Sequence, residues 1–277
     1  MTLFSASHEA MATTFRIAIA ADDREYARQA AATAFRELDR LETELSRFIE
    51  SSDIAQANRL PEGGTLLLGP AATECLTLAA HLSALTEGAF DPAYASTRPA
   101  AAGGAEPPLY ALDPDGHRLT SLCPRLHLDL GAVGKGYALD CMAAILSEWE
   151  LPAANLDSGG STLLALAPPP GRAGWAAAVG EGAARREFAL CHRALAGSGI
   201  AVQGEHLRNP RTGGAAGRRE RVWAFAPTAA AADALSTAFF VMDDEAIADC
   251  CAREPSIGAV VTRTDGALVH YGLTIDA

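Results

Sequence analysis

The sequence predicts an α+β fold. One long stretch of apolar residues recurs at helical spacing, many short β-branched runs are separated by turn residues, and neither a repeat nor a domain linker interrupts the 277 residues. Long helices beside short, turn-linked strands suit one compact unit spanning 1–277, with ample length for a core.

Residues 13–20 alternate and are rich in Thr and Ile, so they are expected to form a strand. Asp22 and Asp23 supply a helix start. Ala27, Ala30, Ala34, Leu38, Leu41, Leu45 and Phe48 then fall on one helical face, and Ser51-Ser52-Asp53 ends the helix. A short helix over 54–58 and a strand over 65–68 follow. Pro70 opens a helix to about residue 86, with Gly88 as its stop. Residues 98–108 are rich in Pro, Gly and Ala, and a mobile surface loop is expected there. Asp113-Pro114-Asp115-Gly116 is a turn between two short strands. Residues 125–130 are expected to be a strand running into the glycine turn Gly131-Ala132-Val133-Gly134-Lys135-Gly136, with a helix over 137–149 beyond it. Further strands are expected at 153–156, 163–167, 175–179, 187–190, 194–196, 221–226, 258–262 and 267–270. Helices are expected at 229–242 and 244–252.

Apolar residues make up 49% and charged residues 20%, as in an ordinary globular protein. The net charge of −12 and the lack of a basic stripe exclude a nucleic-acid binder. Six cysteines show no C-x-x-C spacing, which argues against a zinc or dithiol site. No run of about 18 apolar residues exists, so no membrane span is expected. Residues 1–8 lack a basic segment followed by an apolar one, so no secretory signal is expected. The chain as written is expected in the cytoplasm, or in the periplasm if a leader was trimmed.

The turn at 129–137 can bring backbone N–H groups and a cation to one anion. It has neither the Gly-x-x-x-x-Gly-Lys-Ser/Thr nor the Gly-x-Gly-x-x-Gly spacing, and strand-to-helix packing explains its glycines equally well. Asp233 and Thr237 lie one turn apart on one helix face. A carboxylate plus a hydroxyl is hard-ligand chemistry suited to Mg2+, although a Thr bonded back to its own helix is the simpler alternative. His206, in a polar loop, has the ordinary pKa of a general base, and a solvated loop histidine is again the plainer reading. Ser158 and Ser198 lie among glycines outside the Gly-x-Ser-x-Gly elbow.

Seven segments in order resemble the ApbE family of FAD:protein FMN transferases, over nearly the whole chain. Met11-Ala12-Thr13-Thr14-Phe15 resembles M-G-T-x-F. Leu45-Ser46-Arg47-Phe48, with Ser52, Ile54 and Asn58, resembles L-S-x-Y…S-x-I…N. Gly88-Ala89-Phe90-Asp91-Pro92 resembles G-A-F-D-P. Residues 129–140, DLGAVGKGYALD, resemble D-L-G-G-I-A-K-G-Y-A-V-D. Residues 155–160 resemble N-x-G-G-D, 206–213 resemble H-I-I-D-P-R-T-G, and 226–238 resemble A-P-T-x-x-x-A-D-A-L-A-T-A.

The resemblance implies a fold related to the T-fold, with mixed helices and antiparallel sheets. It also implies an enzyme that binds FAD and Mg2+ and places FMN on a threonine hydroxyl of an acceptor protein through a phosphoester, releasing AMP. Asp233, Thr237 and the Ala132 carbonyl match the metal-ligand positions. Met11, Phe48, Ala89, Phe90, Asp91, Asp129 and Lys135 match positions that contact FAD, and His206 matches the proposed base. Asn209 stands where the family usually carries Asp, beside that base. This keeps two alternatives open: a homologue that hydrolyses FAD to FMN and AMP, and a non-catalytic FAD-binding or assembly protein.

Overall fold

The computed structural model describes residues 2–98, 107–199, 219–263 and 265–273. A two-residue turn joins β1 (Thr2–Ala10) to β2 (Thr13–Ala21). These strands begin an antiparallel sheet of eight, completed by β6 (Ala154–Ser158), β7 (Thr162–Ala165), β10 (Arg193–Gly199), β11 (Arg219–Ala226), β12 (Gly258–Arg263) and β13 (Leu268–Gly272). Across the sheet the order is β1-β2-β6-β7-β10-β11-β12-β13. A small sheet places β5 (Arg118–Ser121) between β3 (Thr65–Leu67) and β4 (Tyr110–Asp113), and β8 (Trp175–Val179) pairs with β9 (Arg186–Leu190).

Among the described residues there are six α-helices. They are α1 (Arg24–Leu45), α2 (Asp53–Ala57), α3 (Pro70–Leu85), α4 (Gly134–Glu148), α5 (Ala229–Val241) and α6 (Asp244–Arg253). None is long and apolar enough to cross a membrane.

The alternation in β2 puts Phe15, Ile17 and Ile19 on the helix side, each at most 1% exposed. Strand β11 is buried on both faces. Val222, Ala224 and Ala226 face the main core, whereas Trp223 and Phe225 join Trp175, Leu190 and Val260 beneath the β8–β9 ribbon. That explains why it reads as a continuous apolar run rather than an alternating one. Helix α1 is amphipathic, is capped by Asp23 accepting from Glu25 and Tyr26 N–H, and buries its Ala27–Leu45 stripe. Helix α5 is buried nearly all round and lies between the sheet and α4. Its alanines let neighbouring backbones come close.

Four elements differ from the sequence reading. Residues 125–130 form no strand beyond a single bridge between Thr97 and Arg125. The Asn58 side chain takes the place of a strand partner: its amide donates to Leu128 O at 2.9 Å and its carbonyl accepts Leu128 N–H at 2.6 Å. Asp129 N–H donates to Pro92 O. Helix α4 begins at Gly134, not at Tyr137, so Lys135 and Gly136 belong to a helical first turn. Helix α1 stops at Leu45, where Ser46 turns extended, and Phe48 is 77% exposed instead of continuing the stripe. Strand β1 has no counterpart in the sequence reading. The loop expected at 98–108 falls largely outside the described residues.

Candidate functional site

The site is built where the N-terminal turns of α4 and α5 meet. No side chain can stand between them at Gly136, because a Cβ there would collide with the Ala229 carbonyl oxygen. Asp140, one turn further along α4, accepts N–H groups from Ala229 at 2.7 Å and Ala230 at 2.9 Å. Its carboxylate satisfies two of the donors that every helix start leaves free. Thr228 caps a third by accepting from Ala231 N–H. Tyr137 ties α4 to α3 by donating to Glu74 at 2.7 Å.

This clamp brings residues 98 positions apart together. Asp233, on the second turn of α5, is 6% exposed, and its Oδ2 lies 3.6 Å from the Lys135 ammonium. The same oxygen accepts Gly136 N–H at 3.3 Å, and Oδ1 accepts the Thr162 hydroxyl at 3.2 Å. Lys135 Nζ also donates to Gly131 O at 2.5 Å. An ammonium therefore already occupies the gap between a loop carbonyl and a buried carboxylate, which is the electrostatic environment a metal cation needs. Thr237 donates its hydroxyl proton to the Asp233 carbonyl at 3.4 Å, leaving its oxygen lone pairs free to ligate. Among the described residues no hydrogen bond reaches the Ala132 carbonyl. A carboxylate, a hydroxyl and a free carbonyl are together the all-oxygen chemistry that suits Mg2+. The described residues hold no cluster of three or more His, Cys, Asp or Glu; this donor set, with its single carboxylate, is of another kind.

Beside this pair lies a cavity of about 370 Å3 with Met11, Phe48, Asp129, Gly131 and Lys135 on its walls. The β1–β2 turn forms one side, with Met11 and Ala12 both at positive φ (49° and 58°). That geometry matches a two-residue hairpin turn that normally selects Gly or Asn. Met11 N–H donates to Glu42 Oε1 at 2.7 Å, which anchors the turn to α1. Asp129 accepts Gly131 N–H at 2.9 Å and pairs with Arg47 at 3.2 Å. The Arg47 guanidinium lies over the Phe48 ring, 4.1 Å from its centroid.

The structure thus gathers Met11, Phe48, Asp129 and Lys135 around one cavity, with Asp233 reached through Lys135; Ala132 follows the cavity-lining Gly131 in the chain, and Thr237 stands one turn beyond Asp233 on α5. It does not bring Ala89, Phe90 and Asp91 to that cavity. Ala89 and Phe90 are packed in the core, at 7% and 3% exposed. Asp91 accepts Ala93 N–H and Arg98, and lines a separate cleft of about 840 Å3 with Glu87 and Tyr110. His206 and Asn209 lie outside the described residues. Sequence reasoning missed Thr162, Asp140, Arg47 and Glu42 as members of the site. No local motif could have joined Thr162 or Asp140 to α5, 71 and 89 residues away.

Burial pushes the Asp140 carboxyl up to about 6, against the lowering effect of its bonds to Ala230 and Ala229. The folded protein therefore holds this proton more tightly than the unfolded chain, whose pKa is about 3.9. The stability this contributes is complete below about pH 4 and is lost as pH rises through 6. The Asp140→Asn variant cannot titrate here. Relative to wild type it should gain about 2–3 kcal/mol between pH 4 and pH 7, at about 1.4 kcal/mol per pKa unit. Denaturant melts of both proteins across that range check this, and a constant difference would refute it.

The ApbE family model matches residues 11–261. No curated protein sequence matches the chain. Among solved structures, the flavin transferase ApbE from Vibrio cholerae superposes with a TM-score of 0.80 at 19% identity, covering 98% of this chain and 96% of that one. The flavinyl transferase ApbE of Pseudomonas stutzeri gives 0.80 at 20%, covering 99% and 98%. The ApbE protein of Thermotoga maritima gives 0.78 at 21%, covering 98% and 97%. At these identities the structural likeness is one of fold. The family match runs from the Met11 turn through α4 and α5 to β12, and by it the chain belongs to the ApbE family.

Proposed function

We propose that this chain is a flavin transferase that moves FMN from FAD to a threonine hydroxyl of an acceptor protein, forming a phosphoester and releasing AMP. The observation that carries the reading is the Lys135–Asp233 pair at two helix N-termini, bordering a cavity with an aromatic at its rim. Its volume falls within the roughly 300–1,000 Å3 usual for small-molecule sites. The named activities of the Vibrio and Pseudomonas structures support the same reaction class.

In the reaction, the acceptor oxygen attacks the phosphorus of the FMN half. One P–O bond forms, and the bond to the bridging oxygen breaks. The electron pair leaves with AMP, and the hydroxyl proton passes to a base, for which His206 is the proposed group. Negative charge grows on the phosphate oxygens. Lys135 stands on the first turn of α4, where its ammonium and the helix dipole meet that charge. Phe48 and Met11 offer the flavin ring an apolar wall. Asp233, Thr237 and the Ala132 carbonyl would hold Mg2+, which supplies charge neutralisation at the pyrophosphate. The net charge of −12 is no obstacle once positive charge is concentrated at this point.

Incubation with FAD, Mg2+ and a threonine-bearing acceptor domain tests the proposal. The expected result is flavin fluorescence on the denatured acceptor, with one AMP per flavin attached. AMP release without labelled acceptor would instead make the chain an FAD hydrolase. FAD binding with no AMP would make it a non-catalytic binding protein.

A further inference from the structure

We infer that Thr162 is a positioning residue for the Asp233 carboxylate, fixing which of its oxygens is presented to the bound cation. The inference rests on the reading of Asp233 as a metal ligand. Thr162 opens β7 on the helix-facing side of the sheet and is 1% exposed. Its hydroxyl donates to Asp233 Oδ1, so Oδ2 is left for Gly136 N–H and Lys135. A β-branched residue has a stiff χ1, and β7 is held by β6 on one side and β10 on the other. The donor is therefore rigid, whereas the Lys135 ammonium sits on a flexible stem. Neighbouring hydroxyls are engaged elsewhere. Ser198 pairs with Ser236 at 2.9 Å, and Ser236 and Thr237 both donate to the Asp233 main-chain carbonyl. Among the described residues, Thr162 is the one hydroxyl bonded to the carboxylate itself.

A partner that orients a ligating side chain typically alters metal affinity about 10–100-fold when lost. A threonine that merely satisfied a buried polar atom would change stability and leave affinity alone. The test is a Mn2+ titration of the whole protein by electron paramagnetic resonance, alongside the Mg2+ dependence of AMP release. Thr162→Val keeps the shape and removes the hydroxyl. It should raise the Mn2+ Kd and the half-saturating Mg2+ concentration by roughly 10–100-fold. Thr162→Ser should restore both. Thr162→Ala serves the same purpose if the valine variant does not fold. Wild-type Mn2+ binding in either hydroxyl-free variant, whatever its melting temperature, would overturn the inference. Asp233→Ala separates the two layers. If it too bound Mn2+ like wild type, the metal reading would fall along with Thr162; if it alone lost Mn2+, only the role of Thr162 would fall.

Discussion

Asp233→Ala should abolish divalent-cation-dependent turnover. The carboxylate is the sole negative charge that contacts Lys135 among the described residues, and it is 6% exposed. Removing it takes the anionic member from the proposed Mg2+ donor set and leaves only a hydroxyl and a carbonyl. Loss of an orienting partner already costs about 10–100-fold in metal affinity or activity, so loss of the ligand should cost at least about 100-fold. The variant also strands the Thr162 hydroxyl and the Gly136 N–H, at about 1–3 kcal/mol for each unsatisfied buried group. Lys135 is less of a burden, because at 22% exposed its ammonium can swing toward water and still keep Gly131 O. Asp233→Asn refines the test. Its amide oxygen can still accept from Thr162, while its NH2 then faces the Gly136 N–H, so only part of the stability should return while turnover stays low. Rates against Mg2+ concentration, measured with thermal melts of the same samples, distinguish the two effects. Full Mg2+-dependent activity in Asp233→Ala would show that the metal is bound elsewhere.

What the sequence discloses about this site depends on the range over which the physics acts. The Asp233–Thr237 spacing is a property of one helix, so it was legible, and the helix formed where its periodicity and the Thr228 cap placed it. Strand β2, with its clear alternation, was legible for the same reason. The start of α4 was not. Val133-Gly134-Lys135-Gly136 has poor intrinsic helix propensity, and the turn becomes helical in a tertiary setting that answers Gly136 N–H with the Asp233 carboxylate. Residues 125–130 carry a strand-like pattern but meet the side chain of Asn58 instead of a neighbouring strand. Strand β1 is an edge strand whose inward positions are Phe4, Ala6, His8 and Ala10, only one of them a large apolar residue, so its hydrophobic signal is faint. Phe90 shows the converse limit: an aromatic in a motif reads equally well as a ligand wall or as core, and its 3% exposure places its side chain in the core.

Gly136→Ala should both destabilise the fold and remove activity, although alanine is the better helix former by about 1 kcal/mol. A Cβ at this position would sit 2.5 Å from the Ala229 carbonyl carbon and 2.6 Å from Ala230 N, against ordinary carbon contacts of about 3.5–4.0 Å. Both obstacles are backbone, so no side-chain rotation relieves them, and α4 and α5 must part by roughly 1 Å. Overpacking of this kind costs about 1–3 kcal/mol, which outweighs the propensity gain. Parting the helices stretches the two hydrogen bonds from Ala229 and Ala230 to Asp140 and widens the 3.6 Å Lys135–Asp233 gap. Misplacement of reacting groups by about 1 Å can cost on the order of 100-fold in rate. Gly134→Ala is the matched control in the same helical turn. A Cβ there meets only Leu130 Cβ at 3.5 Å, an ordinary contact, so that variant should melt at or above the wild-type temperature. The pair separates a close helix approach from a general dislike of alanine in this turn. Equal melting temperatures for the two variants would mean that α4 and α5 are not held together at Gly136. The link between helix spacing and the Lys135–Asp233 geometry would then have to be abandoned.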